Sequence, residues 1–156
     1  MTQLVIADTS CLIILQKLGL LGLLSRLYDT VTITTIVAAE FLDFLPEWVS
    51  ILPVEATLLI SLEPYKLDLG EASALALAIK HRQTSNVLVL IDDLKGRIVA
   101  ERLAIPIKGS VGVLLQAKRE GLLESVRPHL ETMRRQTNFR LSETLIQKAL
   151  EEAGEL

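Results

Sequence analysis

The second half of the chain contains an apolar run that ends in two aspartates, Val87-Leu88-Val89-Leu90-Ile91-Asp92-Asp93. A similar run, Leu4-Val5-Ile6-Ala7-Asp8, lies near the N-terminus. Continuous aliphatic runs of this length are typical of strands buried on both faces, as in a parallel sheet. Acids that follow such strands lie at the carboxyl edge of the sheet, where open α/β folds have their ligand crevice. If the two strands are neighbours, three carboxylates converge, and a metal ion would offset their repulsion.

Short strands alternate with longer helical stretches along the rest of the chain, which favours an α/β fold with a parallel sheet. Further strands are predicted at 30–34, 51–54 and 105–107, and helices at about 35–44, 69–79, 94–103, 113–119 and 122–135, with a last helix capped by Ser142. No repeat or linker divides the 156 residues. We therefore expect one domain over 1–156, in which about 122–156 forms a helical extension.

The composition sets limits on partners and location. A hydrophobic fraction of 50% and a mean hydropathy of +0.42 are high for a small domain, so we expect the excess apolar surface to be covered in a homodimer or by a bound protein. The net charge of -3 argues against a broad electrostatic grip on nucleic acid but leaves room for a local basic patch. A single cysteine and no membrane-length apolar stretch indicate a cytoplasmic protein.

Two glutamates on predicted helices are further candidate site residues. Glu40 lies in an apolar segment, so we expect its helix to be buried on most sides, where a charge needs a partner or a metal. Glu71 lies in the first turn of a nearly all-apolar helix, where the helix dipole alone could account for an acid. Each signal is weak singly, since Asp8 could be a simple helix cap. Together the carboxylates are hard oxygen ligands suited to Mg²⁺ or Mn²⁺, which could activate water against a phosphodiester.

The neighbours of the strand-end aspartates suggest supporting roles. The hydroxyls of Thr9 and Ser10 flank Asp8, and Lys95 and Arg97 could offset the acidic charge or hold a phosphate. Other kinds of site have little support, because the chain has no glycine-rich phosphate loop and its two histidines lie too far apart for a zinc site.

The whole pattern resembles the PIN domain, and in particular a prokaryotic branch of PIN-like proteins similar to the VapC ribonuclease toxins. The resemblance spans essentially the whole chain. The segments that carry it are Asp8-Thr9-Ser10, Glu40, Leu69-Gly70-Glu71-Ala72, the run from Ile91 to Arg97 with Ala100, and the run from Gly109 to Lys118 that leads to Gly121.

The resemblance implies a three-layer α/β/α fold with a parallel sheet of about five strands in the order 3-2-1-4-5. It also implies a Mg²⁺- or Mn²⁺-dependent endoribonuclease that acts on RNA, often a dimer inhibited by a small antitoxin protein. Carried over by position, the metal ligands and catalytic acids would be Asp8, Glu40, Glu71 and Asp92. Asp93 would be an additional ligand or support, and the Ser10 hydroxyl would hold a water or Asp8.

Two departures from the usual PIN pattern keep other functions open. Many PIN nucleases have aspartate where Glu71 stands and threonine where Leu90 stands, so the hydroxyl that supports the fourth acid is absent from that position. One alternative is therefore a PIN-like module that binds protein and has little or no catalytic activity. A phosphatase of the haloacid dehalogenase type is less favoured, because it needs a second acid two residues after the first and Ser10 stands there.

Overall fold

The five strands form one parallel sheet in the order β3-β2-β1-β4-β5, which confirms the predicted order. The computed structural model describes residues 1–156. The strands are β1 (Thr2–Ala7), β2 (Val31–Thr34), β3 (Val49–Leu52), β4 (Ser85–Leu90) and β5 (Ile107–Lys108). β1 lies at the centre of the sheet, between β2 and β4.

The two apolar runs that end in aspartate are neighbouring strands. β1 pairs with β4 from Thr2 opposite Ser85 to Ala7 opposite Leu90. The pairing continues one step further, because the Asp8 amide donates to the Leu90 carbonyl at 2.9 Å. The two strands therefore end at the same level, and the acids that follow them lie at one edge of the sheet.

Nine α-helices cover the two faces of the sheet and produce three layers. They are α1 (Thr9–Lys17), α2 (Leu23–Tyr28), α3 (Thr35–Glu40), α4 (Ala56–Ser61), α5 (Leu69–His81), α6 (Leu94–Arg102), α7 (Ser110–Arg119), α8 (Arg127–Gln136) and α9 (Glu143–Ala153). None of them is long and apolar enough to cross a membrane. Successive strand residues point to opposite faces, so Val5 joins one buried cluster with α1, α2, α7, α8 and α9, whereas Ile6 joins the other with α5 and α6.

Helix α5 is largely buried, as its apolar sequence predicts. Every residue from Gly70 to Ala78 is buried. The side chain of Asp68 caps the helix by accepting a hydrogen bond from the Glu71 amide at 2.9 Å. This cap satisfies one of the free amides at the helix N-terminus and fixes the first turn, where Glu71 lies.

Helix α3 differs from the prediction in length and burial. It ends at Glu40 rather than near residue 44, and Val37 is its one buried residue. Its N-cap is Thr34, whose hydroxyl accepts from the Val37 amide. The prediction of a helix buried on most sides was wrong, because the chain leaves the helix after Glu40 and inserts Phe41 into the core instead.

The C-terminal helices pack into the same core as α1 and α7. Leu130 and Met133 of α8 and Leu150 of α9 are buried in that cluster. Helix α8 begins at Arg127, later than predicted, with Pro128 in its first turn, where the missing proline amide costs nothing. As predicted, Ser142 caps α9 by accepting from the Leu145 amide. The segment between α8 and α9 is thereby held close to the sheet edge that carries the acids.

Candidate functional site

Asp8 and Ser10 form the centre of the site at the end of β1. Asp8 is only 3% exposed, and the Ser10 hydroxyl donates to its Oδ2 at 2.9 Å. Burial raises the pKa of Asp8 to about 6, although the hydrogen bond from Ser10 opposes the increase. The Ser10 oxygen also accepts a long hydrogen bond from the Asp92 amide, at 3.4 Å. One serine therefore connects the two strand ends.

Asp92 is held from the opposite side by Ser110, the first residue of α7. The Ser110 amide donates to Oδ1 at 2.8 Å and its hydroxyl donates to Oδ2 at 2.5 Å. Burial raises the pKa of Asp92, while the two bonds from Ser110 and the charge of Arg97 counteract the increase. The hydroxyl that is absent at Leu90, which is fully buried, is thus supplied by Ser110. Sequence analysis included Ser110 in a segment that resembles the PIN domain but gave its side chain no role in the site.

Glu71 is a buried acid whose pKa is strongly raised. Burial raises the pKa of Glu71 to about 9, assisted by a hydrogen bond to the Asp68 side chain and by the negative charges of Asp68, Asp93 and Asp8. Asp68 is therefore a further acid of the site that sequence reasoning did not identify. Its signal was available, because an Asp three residues before a Glu at the start of an apolar helix follows the pattern of a helix cap.

Glu40 reaches the same site from the exposed end of α3. Thr9 donates its hydroxyl to Oε2 of Glu40 at 3.4 Å. The other oxygen, Oε1, lies so close to Gly70 that a Cβ at that glycine would collide with it. Partial burial and the charge of Asp68 raise the pKa of Glu40. The side chain is thus near the other acids, although it is more exposed than the sequence suggested.

Three glycines each leave room for one of these carboxylates. Gly70 lies under Glu40, as described above. A Cβ on Gly96 would lie 3.2 Å from Glu71 Oε2, and a Cβ on Gly109 would lie 2.9 Å from Asp92 Oδ1. Since real Cβ atoms almost never approach closer than 3.0 Å to such neighbours, a side chain at Gly109 would displace an acid. Glycine suits these three positions because a carboxylate approaches the backbone closely at each of them.

The remaining predicted site residues lie at the margin of the acidic cluster. Asp93 is exposed and caps α6, since its Oδ2 accepts from the Gly96 amide at 3.2 Å. Lys95 donates its ammonium group to the carbonyl of Lys66 at 2.7 Å and forms no salt bridge with the acids. Arg97 stays close to Asp92, and its Nη1 would lie 2.7 Å from a Cβ on Gly109.

The charge balance of the site favours a cation. None of the three salt bridges in the protein involves an acid of this cluster. The available donors are carboxylate and hydroxyl oxygens, which Mg²⁺ and Mn²⁺ prefer over nitrogen or sulfur donors. As the side chains stand, no three Asp, Glu, His or Cys residues lie close enough together to hold one ion. The donor chemistry therefore fits a divalent metal, and coordination by three of the acids requires side-chain movement.

Comparisons with known proteins agree with this description. Neither the curated proteins nor the solved structures contain a match to the chain. The model of the DUF3368 family, described as a PIN domain, matches residues 4–155. PIN domains are generally nucleases that bind RNA and usually use divalent metals. Because the match covers almost the entire sequence and the sheet has the expected strand order, the chain belongs to the PIN-domain family DUF3368.

Proposed function

We propose that the protein is a metal-dependent endoribonuclease that hydrolyses RNA phosphodiester bonds as the toxin of a type II toxin–antitoxin pair. The observation that carries the proposal is the group of carboxylates at the sheet edge, from Asp8, Glu40, Glu71 and Asp92. Each has a raised pKa, and burial is the largest cause in every case. Such a cluster is costly unless it is protonated or binds a cation.

The four acids would hold Mg²⁺ or Mn²⁺, with Asp93 as an additional ligand and Asp68 as a nearby negative charge. When bound, the ion would lower the pKa of a water and offset the charge of the phosphodiester under attack. The hydroxyls of the protein have a separate task. Ser10 and Ser110 hold the carboxylates of Asp8 and Asp92, so that neither has to be ordered when substrate arrives.

The raised pKa values of the acids support this proposal separately from the family resemblance. A group with a pKa of about 9, such as Glu71, keeps its proton at neutral pH when no cation is present. A divalent ion would compete with that proton, so metal binding should release protons and tighten with rising pH. A carboxylate cluster with a purely structural role would be expected to pair with arginine or lysine instead.

The direct test is cleavage of labelled single-stranded RNA by the purified protein with Mn²⁺ or Mg²⁺, accompanied by calorimetry of metal binding. We expect cleavage to be abolished by chelator and in the Asp8→Asn variant. Asp29→Asn is a matched control, because Asp29 is an exposed aspartate that directly follows α2 and is not one of the acids of the site. A wild-type protein that binds no divalent ion and cleaves no RNA would contradict the proposal.

The toxin assignment and the partners need separate experiments. Expression of the wild-type chain should arrest bacterial growth, and Asp8→Asn should relieve the arrest. Coexpression of the protein encoded by the neighbouring gene should relieve it as well, if that gene encodes the antitoxin. We also propose a homodimer, which sedimentation of the purified protein would test. A monomer at all accessible concentrations would exclude the dimer without affecting the nuclease proposal.

A second candidate function is a PIN-like module that acts by binding protein. It is favoured by the apolar loop that follows Glu40, in which Leu42 and Phe44 are 94% and 83% exposed. Exposed apolar side chains next to a site are typical of a protein-binding surface. Growth arrest that persists in Asp8→Asn but disappears in Phe44→Ser would favour this function over the nuclease.

A further inference from the structure

Two grooves meet at the acidic site, and a single loop lies between them. The first groove has a volume of about 310 Å³ and runs along α1, past Ser10 and Lys17. The second has a volume of about 760 Å³ and runs along α6, past Arg97. Both grooves are lined by Asp92 and Asp93 and by residues 138 and 139, which belong to the loop 137–140 between α8 and α9.

The loop 137–140 is ordered by its own hydrogen bonds. The Thr137 hydroxyl donates to the Met133 carbonyl at 2.6 Å and accepts from the Phe139 amide at 3.2 Å. Phe139 is half-buried against the core but still lines both grooves. Asn138 beside it is exposed. An aromatic ring and an amide side chain therefore face the space next to Asp92, where a base could stack on the ring and pair with the amide.

The cations along the grooves are free to contact phosphate. Lys17, Arg97 and Arg140 line the two grooves, and none of them takes part in a salt bridge. By contrast, Arg134 in the last turn of α8 forms a salt bridge with Glu143. The segment 127–140 has four arginines and one glutamate in a chain whose net charge is -3. Of these four arginines, Arg140 lines a groove, and together with Lys17 and Arg97 it sets three cations against the carboxylates of Asp92, Asp93 and Glu101.

We propose that the loop 137–140 and the two grooves form the path of single-stranded RNA across the acidic site. Phe139 would stack on a base next to the bond that is cut, and Arg140 and Lys17 would contact phosphates on either side. This inference rests on the proposed nuclease function, because continuity with the acids at Asp92 and Asp93 selects RNA as the occupant. Cations without a salt-bridge partner beside an aromatic platform are the combination that single-strand binding uses.

The test is fluorescence anisotropy with a labelled RNA octamer in chelator, where no cleavage can occur. Phe139→Leu keeps an apolar side chain in the core contact and should weaken binding about fivefold or more, the effect of losing one stacked base. Arg140→Gln should reduce the slope of log affinity against log salt by about 0.7, the value for one phosphate contact on a single strand. Trp48→Leu, which also replaces a half-buried aromatic side chain packed against the same core as Phe139, and Arg26→Gln are matched controls outside both grooves.

Crosslinking separates this inference from the nuclease proposal. An octamer containing 4-thiouridine should crosslink to a peptide that includes residues 137–140, both in the wild type and in Asp8→Asn. Binding without Mn²⁺-dependent cleavage would leave the RNA path standing and refute the nuclease function. Normal binding and salt slope in Phe139→Leu and Arg140→Gln, or crosslinks only elsewhere, would overturn the path. The same holds if these variants lose binding of a partner protein while RNA binding stays intact.

Discussion

Ser110 donates both its amide and its hydroxyl to the two carboxylate oxygens of Asp92, at 2.8 and 2.5 Å. The two residues are 18 positions apart and belong to different elements, a strand end and the first turn of α7. A carboxylate that accepts two such bonds is fixed in orientation and is stabilised in its charged form. This pair replaces the hydroxyl that Leu90 does not provide.

Replacement of Ser110 by alanine should reduce activity more than stability. Ser110→Ala keeps the hydrogen bond from the backbone amide to Asp92 but removes the one from the hydroxyl. The carboxylate can then rotate, and it becomes harder to ionise. Loss of a partner that orients a metal ligand typically costs about 10- to 100-fold in metal affinity or activity. We expect that range in Mn²⁺-dependent RNA cleavage. Ser25→Ala, which removes a side-chain hydrogen bond to the Gly22 carbonyl in α2, should leave cleavage unchanged; equal losses of activity in both variants would contradict a specific role of Ser110.

Gly96→Ala should disable the site although alanine is the better helix former by about 1 kcal/mol. The new Cβ would lie 2.5 Å from Ile91 Cδ1 and 3.2 Å from Glu71 Oε2, so the Glu71 carboxylate would have to move. Gly22→Ala is the matched control, since a Cβ there meets nothing within 4 Å and the backbone is already helical. We expect weaker Mn²⁺ binding in calorimetry for the first variant and unchanged binding for the second. Unchanged binding in both would show that Glu71 can move without consequence.

The protein without metal should become less stable as pH rises. The folded-state pKa values of Asp8 and Glu71, about 6 and about 9, lie above the values of about 4 in the unfolded chain. Between these limits the folded state holds more protons than the unfolded state, so the free energy of unfolding falls with rising pH.

The melting temperature in chelator measures this effect. It should be lower at about pH 8 than at about pH 5, and Mn²⁺ should recover more of the difference at the higher pH, because binding of the ion offsets the charge of the deprotonated acids. Glu71→Gln should flatten the pH dependence, since the amide has no proton to lose. A melting temperature that rises over this interval in the wild type would contradict the raised pKa values.

Asp68→Asn should separate the charge of Asp68 from its role as a helix cap. Asparagine also caps helices, so α5 should remain intact while the negative charge next to Glu71 and Glu40 is lost. We expect higher stability in chelator at about pH 8 and weaker Mn²⁺ affinity in calorimetry. If Asp68→Asn behaves like Asp29→Asn in both measurements, Asp68 is only a cap.

Much of the fold could be predicted from local patterns. The apolar runs before Asp8 and Asp92 identified two buried parallel strands, and the small-residue run after Gly70 identified a buried helix. The convergence of strand-end acids followed from the rule that ligand sites lie at the carboxyl edge of a parallel sheet. The strand order itself came from the family resemblance, because periodicity says which segments are strands but not which are neighbours.

The less predictable residues are those whose role depends on distant parts of the chain. Lys95 follows the acids in sequence but bonds to the Lys66 carbonyl, and Glu40 lies at an exposed helix end rather than inside a buried helix. Phe139 and Arg140 lie far from Asp92 along the chain, and only the packing of α8 and α9 brings them to the same grooves. A local pattern carries no information about such contacts.

The sequence was sufficient to predict Asp8 and Asp92 at the sheet edge and Glu71 at the start of a buried helix, because strand ends and helix starts follow short-range periodicity and capping. Tertiary structure decided the environment of each acid: the hydroxyl of Ser110 on Asp92, the neighbour Asp68 beside Glu71, and the space above Gly70 that admits Glu40. The physical reason is that desolvation and hydrogen bonding depend on which segments pack together. Those two effects, rather than the acids themselves, set the protonation of each carboxyl group.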